Sequence, residues 1–251
     1  MSLPRVFVAT VLNLSAEFEL DRNESAHLVK VLRLKDGAEF EVVDAHGSLF
    51  LARILRADPA ATTAQVVRAL PAAGEPSIKV VLVQGLPKGD KMDLVVQKAT
   101  ELGVAEIVPL ACQHSVARYD PSKAAQKVSR WQKIAAEAAA QADRLIIPRV
   151  WPVQQLSELL AHEAFGQGLH LLAAEKSAAP LKQVLRAAPS RPDRIVIYIG
   201  PEGSFSESEL AVLSKLAKPV SLGPRILRTE TAGLAMISMI MYEYDQIMPR
   251  G

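Results

Sequence analysis

The sequence predicts an α/β protein in which a mostly parallel sheet follows a smaller β-rich segment. From Ile78 onward, apolar runs of strand length alternate with stretches of helical periodicity, the pattern of a parallel sheet covered by helices on both faces. Before Leu70 this alternation is missing, and short strand-like runs separated by turn signals indicate a small β-barrel. A proline- and glycine-containing linker at 71–76 lies between them, which predicts domains at 1–71 and 76–251.

The composition is that of a globular protein from a reducing compartment. The 251 residues are 49% hydrophobic and 22% charged, and the formal net charge of +2 is too small to indicate nucleic-acid binding by itself. A single cysteine, Cys112, excludes an internal disulfide. No apolar run approaches the roughly 20 residues that a membrane span needs. We therefore expect a cytoplasmic protein.

The first segment should contain strands over 4–11, 38–44, 48–56 and 62–70 and a short helix over 24–32. Acidic residues slightly outnumber basic ones there, so any RNA contact must come from a local cluster. The candidates for such a cluster are Arg5, Lys30, Arg33 and Lys35. A merely solvated face explains these charges equally well.

The second segment should contain the strands and helices of the parallel sheet. Strands are predicted over 78–86, 105–112, 145–150, 169–173, 195–199 and 220–222. Helices are predicted over 90–102, 122–142, 154–164, 181–187, from Ser206 onward, and over 231–246. The last of these helices is apolar nearly all round, with Met236, Met239 and Ile240, which indicates burial in the core or against a partner.

One stretch in the second segment has the pattern of a ligand site. The apolar strand 195–199 runs into Gly200-Pro201-Glu202-Gly203, and Ser206 with Glu209 forms a capping box that should start a helix. The strand 220–222 runs into Gly223-Pro224 in the same way. Turns of this kind at the carboxyl ends of parallel strands bind small molecules, although ordinary strand-to-helix turns are the alternative.

These residues resemble the ribosomal RNA small subunit methyltransferase E family, within the knotted SPOUT class of methyltransferases. The resemblance covers nearly the whole chain in order. The matching segments are Gly200-Pro-Glu-Gly203, Leu222-Gly223, Ile226-Leu-Arg-Thr-Glu-Thr-Ala232, Gln97-Lys-Ala-Thr-Glu-Leu-Gly-Val104, Arg130-Trp131, and Glu137-Ala-Ala-Ala-Gln141 followed by Arg144 and Pro148. The chain departs from the family at Ser204, where a second glycine is usual, and at His114, where an arginine is common.

The resemblance implies an activity and a set of partners. It implies an S-adenosylmethionine-dependent rRNA (uridine-N3-)-methyltransferase acting on a uridine of 16S ribosomal RNA, with no metal. It also implies a PUA-like RNA-binding barrel in the first segment, a deep trefoil knot in the second, and a homodimer through the C-terminal domain.

The same resemblance, with the strand order, assigns candidate site residues. The cofactor would be held by the two loops and by the end of the strand between them: Leu172, Gly200, Pro201, Glu202, Gly203, Leu222, Gly223, Ile226 and Leu227. Arg228 is the candidate for stabilising the negative charge on the deprotonated uracil, with a phosphate or cofactor carboxylate contact as its alternative. Glu202 and Glu230 are candidate proton acceptors, although Glu230 also suits the first turn of a helix.

A basic helix face is the second candidate RNA contact. Lys123, Lys127 and Arg130 recur at i, i+4 and i+7, and Arg144 follows the helix at a family position. The alternative is a solvated helix surface. Two other classes of function stay open. One is a non-catalytic RNA-binding or ribosome-assembly protein. The other is a nucleotide-binding enzyme, and the absence of a glycine-rich nucleotide-binding fingerprint from this sequence counts against it.

Overall fold

The structure is a computed structural model, and it describes residues 3–72, 74–115, 121–174, 178–188 and 190–244. The chain forms two compact units. The first takes in the chain up to Glu75 together with residues 139–146, and the second takes in 76–138 and 147–251. Residues 139–146, which the sequence pattern had placed in the second domain, therefore belong to the first unit.

The first unit is built on a five-stranded sheet with the order β1-β3-β4-β5-β2. Strands β1 and β3 are parallel, and the other neighbours are antiparallel. The strands are β1 (Arg5–Phe7), β2 (Glu17–Glu19), β3 (Glu39–Val43), β4 (Leu49–Arg56) and β5 (Thr63–Ala69). All five strands contribute to one apolar core that contains Val6, Phe40 and Ile54, the packing expected of a small barrel.

The helix expected over 24–32 is shorter and of two kinds. An α-helix, α1 (Arg22–Ala26), begins at Asp21, whose carboxylate accepts hydrogen bonds from two backbone N–H groups of the first turn. A π-helical turn, His27–Val31, continues it. Strand β2 was not predicted, because Glu-Phe-Glu has too little apolar pattern to separate a three-residue strand from a loop.

The second unit is built on a seven-stranded, wholly parallel sheet with the order β10-β12-β9-β11-β6-β7-β8. Its strands are β6 (Lys79–Gly85), β7 (Glu106–Leu110), β8 (Arg149–Val150), β9 (Leu169–Ala173), β10 (Ala179–Pro180), β11 (Arg194–Ile199) and β12 (Lys218–Ser221). Its helices are α2 (Lys91–Glu101), α3 (Pro121–Gln141), α4 (Leu156–Ala161), α5 (Leu181–Arg186), α6 (Glu207–Leu216) and α7 (Thr229–Glu243). A short 3₁₀ turn, Glu163–Phe165, follows α4.

Helices cover both faces of this sheet, as the continuous apolar strands predicted. On one face the core includes Val95 of α2, Trp131 of α3, Leu185 of α5 and Met236 of α7. On the other face it includes Leu159 of α4 and Leu213 of α6. Among the described residues, no helix is both long and apolar enough to span a bilayer.

The last helix differs from its prediction in how it is buried. Met236 and Ile240 are fully buried in the core of the second unit, so they are not a free apolar face. The large apolar residues that the described part of α7 exposes are Met239 and Tyr242. The predicted end of the helix near Gln246 lies outside the described residues.

Candidate functional site

A cleft of about 660 Å³ lies at the carboxyl edge of the parallel sheet. Strands β12, β9, β11 and β6 are consecutive in the sheet, so the segments that follow them meet at one edge. The cleft is lined by residues that follow β9, β11 and β12, together with Lys91 from α2 and the start of α7. Its volume is that of a pocket for a cofactor-sized molecule.

The loop after β11 is packed tightly against the end of β6. A side chain at Gly85 would put its Cβ 2.5 Å from the backbone nitrogen of Pro201, a separation that real Cβ atoms do not reach. Gly203 is confined less severely, since its Cβ would lie 3.0 Å from the Cβ of His114 and 3.1 Å from the His114 carbonyl oxygen. The His114 ring donates from Nδ1 to the carbonyl of Gly203 over 3.1 Å. Gly203 is therefore required for close packing, while its backbone conformation is ordinary.

Ser204 and His114, where the chain departs from the family that it resembles, both lie at this loop. Ser204 adopts φ of 60°, in the left-handed region where a glycine carries no steric cost. His114 keeps a contact to the loop through the Gly203 carbonyl. The usual glycine at position 204 is thus explained by backbone conformation, and the chain retains the same turn with a serine.

The helix after this loop starts as the sequence predicts. The Ser206 hydroxyl accepts a hydrogen bond from the Glu209 N–H, and the Glu209 carboxylate accepts one from the Ser206 N–H. The same carboxylate accepts the Gln113 N–H at 3.0 Å. This capping box fixes where the loop ends and α6 begins.

A chain of hydrogen bonds ties three segments of the cleft together. The Thr229 hydroxyl, in the first turn of α7, donates to the Gly200 carbonyl over 2.5 Å. The buried Gln84 amide, at the end of β6, donates to the Thr229 oxygen over 2.8 Å and to the Gly85 carbonyl over 3.0 Å. The end of β6, the end of β11 and the start of α7 are therefore held in one fixed relation.

Glu202 is held by a cation and by backbone N–H groups. The Lys88 N–H donates to its carboxylate over 3.1 Å, and the Lys91 ammonium lies 3.0 Å from the same oxygen. Burial alone would raise the pKa of Glu202, but its own N–H, Lys91 and the Lys88 N–H together lower this pKa below its ordinary value. A carboxylate with a lowered pKa is a weak base, so the geometry favours a positioning role for Glu202 over proton abstraction.

Arg228 and Arg225 are the other two cations that line the cleft. Both are exposed, and within the described ranges neither side chain makes a hydrogen bond or ion pair. Ile226, between them in the chain, is 76% exposed, which is unusual for so large an apolar side chain. This segment therefore offers free cations and an uncovered apolar surface to whatever enters the cleft.

The structure brings most of the predicted cofactor residues to this one cleft. Those that line it are Leu172, Gly200, Pro201, Glu202, Leu222, Gly223, Ile226, Leu227 and Arg228. Gly203 packs against His114 instead. The main residue that sequence reasoning missed is Lys91, since it follows a different strand and only the folded sheet brings it to the loop.

The predicted RNA contacts fall into an exposed group and a paired group. Lys30 and Arg33 are exposed in the first unit, and Lys123 and Lys127 are exposed on α3 in the second. Arg130 is also largely exposed, although it forms an ion pair with Asp93 of α2.

Arg5 and Arg144, in contrast, are built into the first unit. Each side chain is only 6% exposed. Arg5 pairs with Glu41 and donates to the Arg144 carbonyl over 3.2 Å, while Arg144 pairs with Glu75 at 2.7 Å. Glu75 also accepts the backbone N–H of Leu145. Since their guanidinium groups have carboxylate partners and little exposure, the interpretation of these two arginines as RNA contacts does not fit the structure.

Comparison with known proteins assigns the family. The profile of a family described as RNA methyltransferase domain matches residues 74–241, and one described as RNA methyltransferase PUA domain matches residues 20–65. The chain is 33% identical to the ribosomal RNA small subunit methyltransferase E of Bacillus subtilis over 91% of each protein. It belongs to the ribosomal RNA small subunit methyltransferase E family.

Other members agree in sequence and in structure. The Synechocystis enzyme of the same name is 31% identical over 94% of this chain and 76% of its own length. The crystal structure of the Neisseria gonorrhoeae enzyme, bound to S-adenosyl methionine, has a TM-score of 0.85 and 29% identity, covering 96% of this chain and 97% of that one. A Legionella pneumophila methyltransferase in complex with S-adenosyl methionine has a TM-score of 0.87 and 29% identity, covering 96% of this chain and 98% of that one.

Membership of the family confirms the predicted fold class, including a PUA domain in the first unit. The trefoil knot stays a prediction. Among the described residues, no group of three or more His, Cys, Asp or Glu side chains is arranged to hold a metal ion.

Proposed function

We propose that the protein transfers the methyl group of S-adenosylmethionine to the N3 nitrogen of a uridine in small-subunit ribosomal RNA. The observation that carries this proposal is the cleft at the carboxyl edge of the sheet, where the loops after β9, β11 and β12 meet. Two relatives of the same fold are bound to S-adenosyl methionine. Family membership supports ribosomal RNA as the substrate.

The residues of the cleft fit a molecule with a flat aromatic base and a charged end. Leu172, Leu222 and Leu227 supply apolar walls, and the exposed Ile226 can close over a base. Gly223, with φ of 122° and open space where its side chain would be, lets backbone approach the ligand closely. Arg225 and Arg228 provide positive charge for a carboxylate or for RNA.

When bound, S-adenosylmethionine supplies an activated methyl group on a sulfonium, so the protein's task is alignment and burial. The hydrogen bonds from Thr229 and Gln84 keep the 200–203 loop from moving relative to α7. The uracil N3 must lose its proton before it can accept the methyl group. We assign this proton to solvent, because the lowered pKa of Glu202 makes that carboxylate a weak base. We assign Arg228 to stabilise the negative charge that then spreads to the neighbouring carbonyl oxygens. It is a cation on the cleft wall, and among the described residues it has no carboxylate partner.

We further propose that the exposed basic residues of each unit bind RNA. In the first unit these are Lys30 and Arg33, and in the second they are Lys123, Lys127 and Arg130. The exposed Val31 lies beside Lys30, so this turn offers both charge and apolar contact. Residues 1–71 would position the RNA, residues 76–251 would carry out the transfer, and an rRNA substrate implies a cytoplasmic enzyme.

We also propose a homodimer through the C-terminal helix, with a contact that differs from the predicted one. Tyr242 is 75% exposed and Met239 is 41% exposed on α7, whereas Met236 and Ile240 are already buried. Tyr242→Lys should therefore separate the dimer without unfolding the protein. Sedimentation of the wild-type protein as a monomer at micromolar concentration would contradict the dimer.

Calorimetric titration with S-adenosylmethionine, followed by transfer of a labelled methyl group to isolated small ribosomal subunits, tests the function. Large subunits and bare transfer RNA serve as substrate controls. We expect saturable cofactor binding and label in small-subunit rRNA alone. Cofactor binding without transfer to any rRNA would favour the non-catalytic alternative, and no cofactor binding would refute the proposal.

A further inference from the structure

Lys91 joins three separate segments at the mouth of the cleft. It is the first residue of α2, and its ammonium group lies 3.0 Å from Glu202 in the loop after β11. The same ammonium lies 3.3 Å from Glu230 in the first turn of α7. The backbone N–H of Lys88, just before α2, donates to Glu202 as well. One cation is thus shared by two carboxylates from two different walls.

Without Lys91, these two carboxylates would lack their common cation. The Glu230 side chain is only 13% exposed and that of Glu202 is 26% exposed, so water screens their mutual repulsion incompletely. The repulsion would then push the 200–203 loop away from the start of α7, beside the cleft. Arg228 does not substitute for the lysine, because no ion pair links it to either carboxylate within the described residues.

We propose that Lys91 is a positioning residue of the methyl-transfer site, which holds the 200–203 loop at a fixed distance from α7 through Glu202 and Glu230. This inference rests on the function proposed above, since it concerns the same cleft. It differs from a direct substrate contact, because two of the three N–H donors of the ammonium already bind the two carboxylates. The two arginines of the other wall remain available for substrate.

The role of the charge can be separated from that of the hydrocarbon stem. Lys91→Met keeps most of the stem and removes the ammonium, whereas Lys91→Arg keeps a cation. Lys98→Met is a matched control, because Lys98 lies on the same helix and pairs with Glu101 at 2.8 Å. Losing charged hydrogen bonds should weaken S-adenosylmethionine binding of Lys91→Met by about tenfold. Lys91→Arg should retain most of the affinity, and Lys98→Met should match the wild type.

The pH dependence of cofactor affinity distinguishes a loss of charge from a loss of packing, because a loss of packing alone would not change it. Because the pKa of Glu202 is lowered, its carboxylate stays ionised as the solution is acidified and protonates only below its ordinary range. Removing the Lys91 ammonium should raise that pKa and leave two carboxylates that repel each other. Acidification neutralises this repulsion, so the affinity of Lys91→Met should approach that of the wild type as the pH falls. The other charged residues on the elements that meet here are Lys88 and Glu230, with Arg225 and Arg228 lining the same cleft and His114 contacting the adjacent Gly203. All the variants retain them.

The decisive comparison is the affinity of wild type and Lys91→Met from pH 7 down to pH 4. Binding that is weaker than in the wild type at pH 7, with a difference that shrinks on acidification, supports the proposal. An affinity for Lys91→Met equal to that of the wild type at every pH would overturn the proposal. The proposed function would then still be supported by cofactor binding and methyl transfer in the wild type. A wild-type protein that binds no S-adenosylmethionine would instead refute the proposed function.

Discussion

Residues 200–203 and residues 222–228 wall the same cleft, but only the first segment is tied down. Gly200 accepts the Thr229 hydroxyl, Glu202 binds Lys91, and Gly203 is packed against His114. In the second segment, every residue from Gly223 to Ile226 is exposed, and the backbone N–H of Gly223 makes only a long 3.3 Å bond to Ser221. One wall is held by contacts in the free protein, and the other presents an exposed surface to a ligand.

Because the two walls differ in how they are held, they should respond differently to mutation. A change in the tied wall should act through displaced structure and should lower thermal stability as well as affinity. A change in the open wall should remove a direct ligand contact and leave stability alone. The following predictions test this contrast.

The largest effect is expected from Gly203→Val, in the tied wall. Its side chain would crowd His114, and overpacking of this kind costs about 1–3 kcal/mol. If the loop moves to relieve the crowding, this energy corresponds to about a 5- to 150-fold loss of S-adenosylmethionine affinity. Calorimetry measures the affinity, and circular dichroism should show the fold intact. Wild-type affinity in this variant would place the cofactor elsewhere.

Ile226→Ser should give the next largest effect, in the open wall. The side chain is 76% exposed, and covering a large aliphatic group is worth about 1.5–3 kcal/mol, so affinity should fall about tenfold. Thermal unfolding should be unchanged, since the side chain packs little in the free protein. A lower melting temperature would show that this wall is also structural.

Thr229→Val should lower both stability and affinity. It removes the hydroxyl that donates to Gly200 and accepts from Gln84, and leaving these buried groups unpaired costs about 1–3 kcal/mol. Thr229→Ser restores the hydroxyl and should recover both properties. Thermal melts and calorimetry on the pair measure the effect, and equal melts for the valine and serine variants would contradict the tether.

The smallest effect, and an opposite one, is expected from Ser204→Gly. Ser204 adopts a left-handed backbone conformation, which costs a non-glycine residue about 1 kcal/mol. Glycine avoids this cost, so the melting temperature should rise slightly. The loop keeps its path, and cofactor affinity should not change. A drop in affinity would mean that the serine side chain itself contacts the ligand.

The sequence predicted those features that depend on local pattern. The strand Leu169–Ala173 and the start of α6 at its capping box came from periodicity and from Ser206 with Glu209, both of which act over a few residues. Leu172 was placed at the cleft from the strand order alone, since parallel strands end at one edge.

The features that were missed or wrong depend on contacts between distant residues. Lys91 reaches Glu202 across 111 positions in the chain, and no local pattern indicates that pair. Arg144 was interpreted as an RNA contact at a family position after a helix, but Glu75, 69 positions earlier, binds its side chain. The burial of Ile240 likewise depends on how α7 packs against the sheet and α2, which its own periodicity does not show.

The central claim is that the cleft methylates the N3 nitrogen of a uridine, with Arg228 on its wall stabilising the charge. Nucleoside analysis by mass spectrometry of small-subunit rRNA, after incubation with enzyme and S-adenosylmethionine, tests it most directly. We expect 3-methyluridine with the wild type, and with Arg228→Ala a rate lower by about 100-fold at saturating cofactor and RNA, as for other charge-stabilising groups. A methyl group on carbon, on ribose or on another base, or an Arg228→Ala enzyme as fast as the wild type, would contradict this account.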